Sequence, residues 1–93
     1  MPIFAVFDPI AAGYAKSFST TTPLAKNAKI WKRLPWAVEF ASLHNSSRNL
    51  PPGVSTPSKH YSIRPNMVVH ELDANWQVLR VITAPPIYIT LNM

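Results

Sequence analysis

The chain has no cysteine, two glycines and four acidic residues among its 93 residues. Without cysteine it can form no disulfide, no cysteine-ligated metal site and no thiol nucleophile. Two isolated glycines cannot make a glycine-rich phosphate loop. No apolar run approaches the roughly 20 residues of a membrane span, and no secretory signal pattern is present. We therefore expect a soluble protein that is not secreted, located in an intracellular assembly or a virus particle.

Groups that could carry catalysis are equally scarce. Glu71 and Asp73 are the only close acidic pair, and His70 lies beside them. Adjacent side chains on a strand point to opposite faces, so His70 and Glu71 cannot share a site. Asp73 is more simply explained as the first residue of a turn. The spacing of His44, His60 and His70 matches no metal-ligand motif. We expect a protein that is not an enzyme, with no catalytic residue, metal, cofactor or small-molecule substrate.

Proline and aromatic residues are plentiful by comparison. The chain holds ten prolines, three Trp, three Tyr and four Phe, whereas charged residues make up 14% of it, against roughly 25% in an ordinary soluble domain. A chain of this length buries only about 60% of the surface that its unfolded form exposes. We predict one small domain over residues 1–93, with part of its aromatic surface in contact with a partner.

The first half of the chain predicts one strand and a kinked pair of helices. Residues 1–7 are apolar and favour a strand, which stops before Pro9. Gly13 and the Ser/Thr cluster after it are typical of a loop. Thr22 and Pro23 have the pattern of a helix N-cap followed by proline. Because Pro35 interrupts the pattern, helices are expected over 23–33 and 35–44. Their shared apolar stripe is Leu24, Ala28, Trp31, Leu34, Val38 and Ala41.

The second half predicts an extended arm and a hairpin. Residues 44–66 are rich in Pro and Ser, which favours an extended segment held along a partner. Residues 67–72 and 76–83 form a β-hairpin pattern around a three-residue loop, in which Asn75 suits the left-handed conformation. Residues 87–92 alternate like a final strand. The expected fold is α+β, with a small antiparallel sheet completed either within the chain or by a neighbour.

The net charge of +5 is concentrated in the middle of the chain. Cations there alternate with aromatic residues, a pattern typical of proteins that contact phosphates and stack on bases. The same cations also suit a solvated helix face, or a surface that meets an anionic membrane or an acidic protein. The residues predicted to contact nucleic acid or an acidic partner are Lys26, Lys29, Lys32, Arg33, Lys59, Tyr61 and Arg64.

The leading hypothesis is a non-enzymatic structural or assembly subunit of a large complex, with a capsid-stabilising or connector protein of a viral or phage particle as the favoured example. Other protein subunits would be its partners, and the arm would clamp across them. The alternatives are a small basic module that binds RNA or single-stranded DNA, and a small protein inhibitor or modulator. The predicted anchors in neighbouring subunits are Trp31, Trp36, Phe40, Trp76 and Tyr88.

Overall fold

A computed structural model describes residues 2–17, 19–48 and 65–86, with the backbone alone for residues 47 and 48. The described residues form five strands, one turn of 3-10 helix and one α-helix, which confirms the α+β class. In chain order the elements are β1 (Ile3–Asp8), β2 (Gly13–Ala15), β3 (Thr21–Thr22), the 3-10 turn (Ala25–Asn27), α1 (Leu34–Arg48), β4 (Val68–Leu72) and β5 (Val78–Thr83).

The strands form one antiparallel sheet in the order β3-β2-β1-β4-β5. The apolar N-terminal run becomes its central strand β1, as its β-favouring residues predict. β1 pairs along most of its length with β4, with Val6 opposite Val69. The two edges differ, because β3 has two residues and β5 has six.

Helix α1 covers one face of this sheet and contacts β1 and β4. Pro35 lies in its first turn, where the missing N–H has no intrahelical bond to lose. Ala37 and Ala41 are fully buried, and their small side chains let the helix approach the strands closely. The core between helix and sheet comprises Phe4, Val6, Ala15, Ala37, Ala41, Met67, Val69 and Ala84.

The predicted helix over 23–33 is wrong. Only one 3-10 turn forms there, and the hydroxyl of Thr22 accepts a hydrogen bond from the Leu24 N–H at 3.3 Å without capping an α-helix. The apolar stripe therefore exists only from Leu34 onward, and the kinked helix pair is replaced by a single helix. That helix also includes residues 44–48, which were expected to begin the extended arm.

Backbone pairing with β1 explains why the helix is absent. Trp31 and Phe4 exchange two backbone N–H···O hydrogen bonds, each 2.9 Å long. β2 pairs with β1 only at Phe7 and Asp8, so it leaves the backbone of Phe4 without a strand partner on that side. Buried backbone groups need hydrogen bonds, and Trp31 supplies them in an extended conformation that a helix cannot provide.

The region around Gly13 also differs from the predicted loop, because β2 and β3 form there. Gly13 is buried, and a Cβ at this position would lie 3.0 Å from the carbonyl oxygen of Thr22. The glycine therefore favours the close approach of β3, because a Cβ here would push the Thr22 backbone away by a few tenths of an ångström. The left-handed position in the turn before β2 belongs instead to Ala12, whose φ is 53°.

The hairpin of β4 and β5 is confirmed, but its turn differs from the prediction. Asp73 is the first turn residue as expected, and its carboxylate accepts hydrogen bonds from the N–H groups of Asn75 at 2.8 Å and Gln77 at 3.0 Å. The residue with positive φ is Trp76, at 64°, and not Asn75. A bulky residue in this conformation strains the backbone.

Glycine at position 76 should relieve this strain. Trp76→Ala removes the indole but keeps a Cβ, whereas Trp76→Gly removes both. We expect the glycine variant to be more stable than the alanine variant by about 1 kcal/mol, measured by urea unfolding. In the control pair, Asn75→Gly should be no more stable than Asn75→Ala, because Asn75 has no positive φ. Equal stability of the two Trp76 variants would contradict the strain.

Several predicted features lie outside the described residues. These are the strand over 87–92 with Tyr88, and the part of the arm over 49–64 that contains Lys59, Tyr61 and Arg64. Within the described ranges, no helix has the length and apolar character needed to cross a membrane.

Candidate functional site

Cationic and aromatic side chains meet where α1 begins. The backbone of Trp31 is fixed against β1, and the helix starts three residues later. This short connection places Lys32 and Arg33 in one surface groove with Trp31 and Trp36. We call Lys29, Trp31, Lys32, Arg33 and Trp36 the helix-start patch.

Trp31 forms the fixed wall of this patch. Its ring packs against Phe40 with the centroids 4.9 Å apart, and it also contacts the hydrophobic core. The Nζ atom of Lys29 lies 5.4 Å from the centroid of the Trp31 ring, within range of a cation–π interaction. Trp36 is by contrast 62% exposed. The patch therefore combines the packed indole of Trp31 with the largely solvent-exposed indole of Trp36.

Apolar side chains continue the helix-start patch along the outer side of α1. Trp36, Phe40 and Leu43 are spaced four and three residues apart, which places them on one side of a helix. They line a second groove together with Trp31 and Glu39. Leu43 is 44% exposed, so apolar surface continues beyond the cations. We call Trp36, Phe40 and Leu43 the helix stripe.

The structure thus brings six of the predicted contact residues into one region: Lys29, Trp31, Lys32, Arg33, Trp36 and Phe40. Lys26 lies on the 3-10 turn and Trp76 in the β4–β5 turn, and neither lines the two grooves. Leu43 was not among the predicted residues. Its position seven residues after Trp36, on the same side of a helix, is the signal that could have identified it.

A second cluster lies on the sheet face opposite α1. Phe7 alternates with the core residue Val6, so it points to the other side of β1. The ring of His70 stacks on Phe7 with centroids 4.8 Å apart, and the Tyr14 hydroxyl and His70 Nδ1 share a hydrogen bond 3.0 Å long. Burial lowers the pKa of His70 and raises the pKa of Tyr14. Burial therefore favours the neutral form of both groups.

The titratable groups near this cluster do not combine into one site. Glu71, next to His70 in sequence, accepts a hydrogen bond from Arg80 on β5 at 2.7 Å. Asp73 is engaged in the turn. Among the described residues, no group of three or more histidine or acidic side chains is placed to hold a metal ion.

Comparison of the chain with protein-family models, curated proteins and solved structures found no match. We therefore infer function from the exposed surfaces of the molecule.

Proposed function

We propose that this chain is a non-enzymatic subunit of a larger protein assembly, and that it binds a neighbouring subunit through the helix-start patch and the helix stripe. The observation that carries the proposal is Trp36, which projects beside the fixed ring of Trp31 with most of its surface exposed. Tryptophan anchors of this kind supply much of the binding energy at protein interfaces.

The charged residues around the apolar surface indicate which charge the partner should carry. Lys29, Lys32 and Arg33 surround one end of the apolar surface, whereas Glu39 is the acid that lines the adjoining groove. An acidic rim on the neighbouring subunit would complement these cations and favour one orientation of binding. We extend the proposal to a viral or phage particle, in which the chain would act as a capsid-stabilising or connector protein.

Nucleic-acid binding is the second candidate. The groove that holds Lys32 and Arg33 beside two indole rings offers both cations for phosphates and flat faces for bases. The helix stripe favours a protein partner instead, because Phe40 and Leu43 extend the apolar surface by two helical turns without an added cation.

Sedimentation of the tagged chain from its source cells tests the first candidate. The chain should sediment with a particle far heavier than its own 10.4 kDa. The double variant Trp36→Ala/Leu43→Ala should lower the ratio of bound to free chain by about 30-fold or more, as expected for loss of interface anchors. Ile10→Ala/Leu24→Ala is the matched control, because these apolar side chains are also about half exposed but lie outside the patch.

Nuclease treatment and salt separate the two candidates. A protein partner predicts that the chain stays with the particle after nuclease digestion. Release by nuclease, together with binding of a 20-nucleotide single-stranded RNA that weakens steeply with salt, would support the second candidate. Lys32→Ala/Arg33→Ala should then flatten the salt dependence. Wild-type chain found entirely in the light fractions would contradict the assembly proposal.

A further inference from the structure

A further surface groove lies at the turn between β4 and β5. It has a volume of about 360 Å³, and two of the four acids of the chain line it together with four apolar residues. The residues that line it are Pro2, Glu71, Leu72, Asp73, Ala74 and Leu79. Leu79 is 57% exposed, so the apolar part of this groove is open to a partner. We call it the hairpin groove.

The charge of the hairpin groove is opposite to that of the helix-start patch. The patch carries three cations, whereas Glu71 and Asp73 bring negative charge to the groove. Glu71 is paired with Arg80, whose side chain does not line the groove. Asp73 accepts hydrogen bonds from neutral N–H groups of the turn, which leave its negative charge in place. Opposite charges on two surfaces favour their association and fix its orientation.

The two surfaces lie at the same end of the sheet, on either side of β1. Phe4 in β1 pairs with Trp31 on one side and with Glu71 on the other. Because neighbouring strands are about 4.8 Å apart, the backbones of Trp31 and Glu71 are separated by about 10 Å. Helix α1 begins at this end, since Asn45 near its other end bonds to Met67 at the start of β4. The hairpin turn follows the opposite end of β4.

This placement allows both surfaces to be satisfied at once in a symmetric dimer. Consider a two-fold axis that is perpendicular to the sheet and passes beside the end where both surfaces lie. Rotation about this axis exchanges the two sides of β1, so the patch of each copy faces the hairpin groove of the other. The same contact therefore forms twice, and the α1 helices of both copies stay on the same side of the two sheets.

We propose that the helix-start patch binds the hairpin groove of a second copy of this chain, in a two-fold dimer. The exposed indole of Trp36 packs against Pro2 and Leu79 of the other copy, and Lys32 and Arg33 lie against the acids of its groove. This inference rests on the proposed function, because it identifies the neighbouring subunit that the patch binds. That subunit is another molecule of the same chain.

Two full-length variants change the charge of one surface each. Lys32→Glu/Arg33→Glu makes the patch acidic. Asp73→Asn/Ala74→Lys replaces an acid of the groove and adds a cation, and asparagine still offers its side-chain oxygen to the turn. Light scattering after size exclusion at about 100 μM, well above a micromolar Kd, should give wild-type chain at twice the 10.4 kDa chain mass. Each variant alone should dimerise at least about 30-fold more weakly.

Mixing the two variants is the decisive measurement. In a mixed dimer one contact is unchanged, and in the other the acidic patch faces the groove that carries a lysine. The mixed dimer should be at least about 10-fold tighter than the dimer of either variant, a gain that two misfolded chains could not produce. Lys16→Glu/Lys26→Glu is the matched control and should remain dimeric, because these exposed lysines line neither surface.

The outcomes separate this inference from the proposed function. A variant that dimerises like wild type, or a mixture no tighter than its components, would overturn the pairing of patch and groove. A monomeric wild-type chain that still sediments with a heavy particle would overturn it as well, and would show that the patch binds a different protein. A wild-type dimer with the expected charge dependence that never sediments with a particle would support the pairing and contradict the larger assembly.

Discussion

Replacing Asn45 by alanine is expected to lower the free energy of unfolding by about 3 kcal/mol. Asn45 is fully buried, and its side-chain amide donates to the carbonyls of Met67 at 3.0 Å and Ala84 at 2.7 Å. Its Oδ1 accepts from the Met67 N–H at 2.7 Å. These three bonds connect α1 to the segment before β4 and to the segment after β5. Alanine would leave buried backbone groups without partners.

Ser46→Ala is the control for this prediction. The Ser46 hydroxyl donates to the Leu43 carbonyl at 2.8 Å on the exposed side of the same helix, so its loss should cost less than about 0.5 kcal/mol. Urea unfolding followed by circular dichroism measures both variants. Equal losses would contradict the role of Asn45 as the link between helix and sheet. Asn45 also begins an Asn-Ser-Ser glycosylation sequon, but its buried, hydrogen-bonded amide is not accessible in the folded chain.

Phe4→Ala should produce a loss of similar size, about 3–4 kcal/mol. Phe4 is 6% exposed and belongs to the core between β1 and α1, where its removal leaves a cavity. Phe7 lies on the same strand but on the opposite face, half-buried between Tyr14 and His70. Phe7→Ala should therefore cost about half as much, since less apolar surface is lost from contact.

Comparing the stability lost in Phe4→Ala and in Phe7→Ala shows which face of the sheet carries the main core. Both are measured by urea unfolding, and Ile10→Ala, at an exposed position, should change stability by less than about 0.5 kcal/mol. If Phe4→Ala cost no more than Phe7→Ala, the helix-covered face would not be the main core. That outcome would contradict the one-sided packing of α1 on the sheet.

The candidate site was partly predictable from the sequence. The sequence predicts Trp31, Trp36 and Phe40 as anchors and Lys29, Lys32 and Arg33 as contact residues, because aromatic residues and clustered cations are informative without a fold. Their grouping was predicted from a helix that does not form. The residues that meet at the start of α1 do so because Trp31 is bound to β1 and the chain then turns into the helix.

Other surface features are visible only in the tertiary structure. The cluster of Phe7, Tyr14 and His70 joins two strands and a histidine far along the chain, and no local pattern indicates such a contact. The open edge of β5 is likewise a property of strand order. Its sequence indicates a strand, but only the sheet topology shows that one side of that strand has no neighbour among the described residues.

The sequence by itself determined the elements whose causes are local. Runs of β-favouring residues specify β1, β4 and β5, Asp73 begins the hairpin turn, and Pro35 lies in the first turn of α1. Only the tertiary structure decided the conformation of residues 23–33. Their apolar residues are spaced as in a helix, but the backbone of Trp31 pairs with that of Phe4 instead. The physical reason is that the backbone groups of the central strand β1 need hydrogen-bond partners, and residues 23–33 supply one at Trp31 although they are distant in the chain. This requirement outweighs the weak helix propensity of residues 23–33.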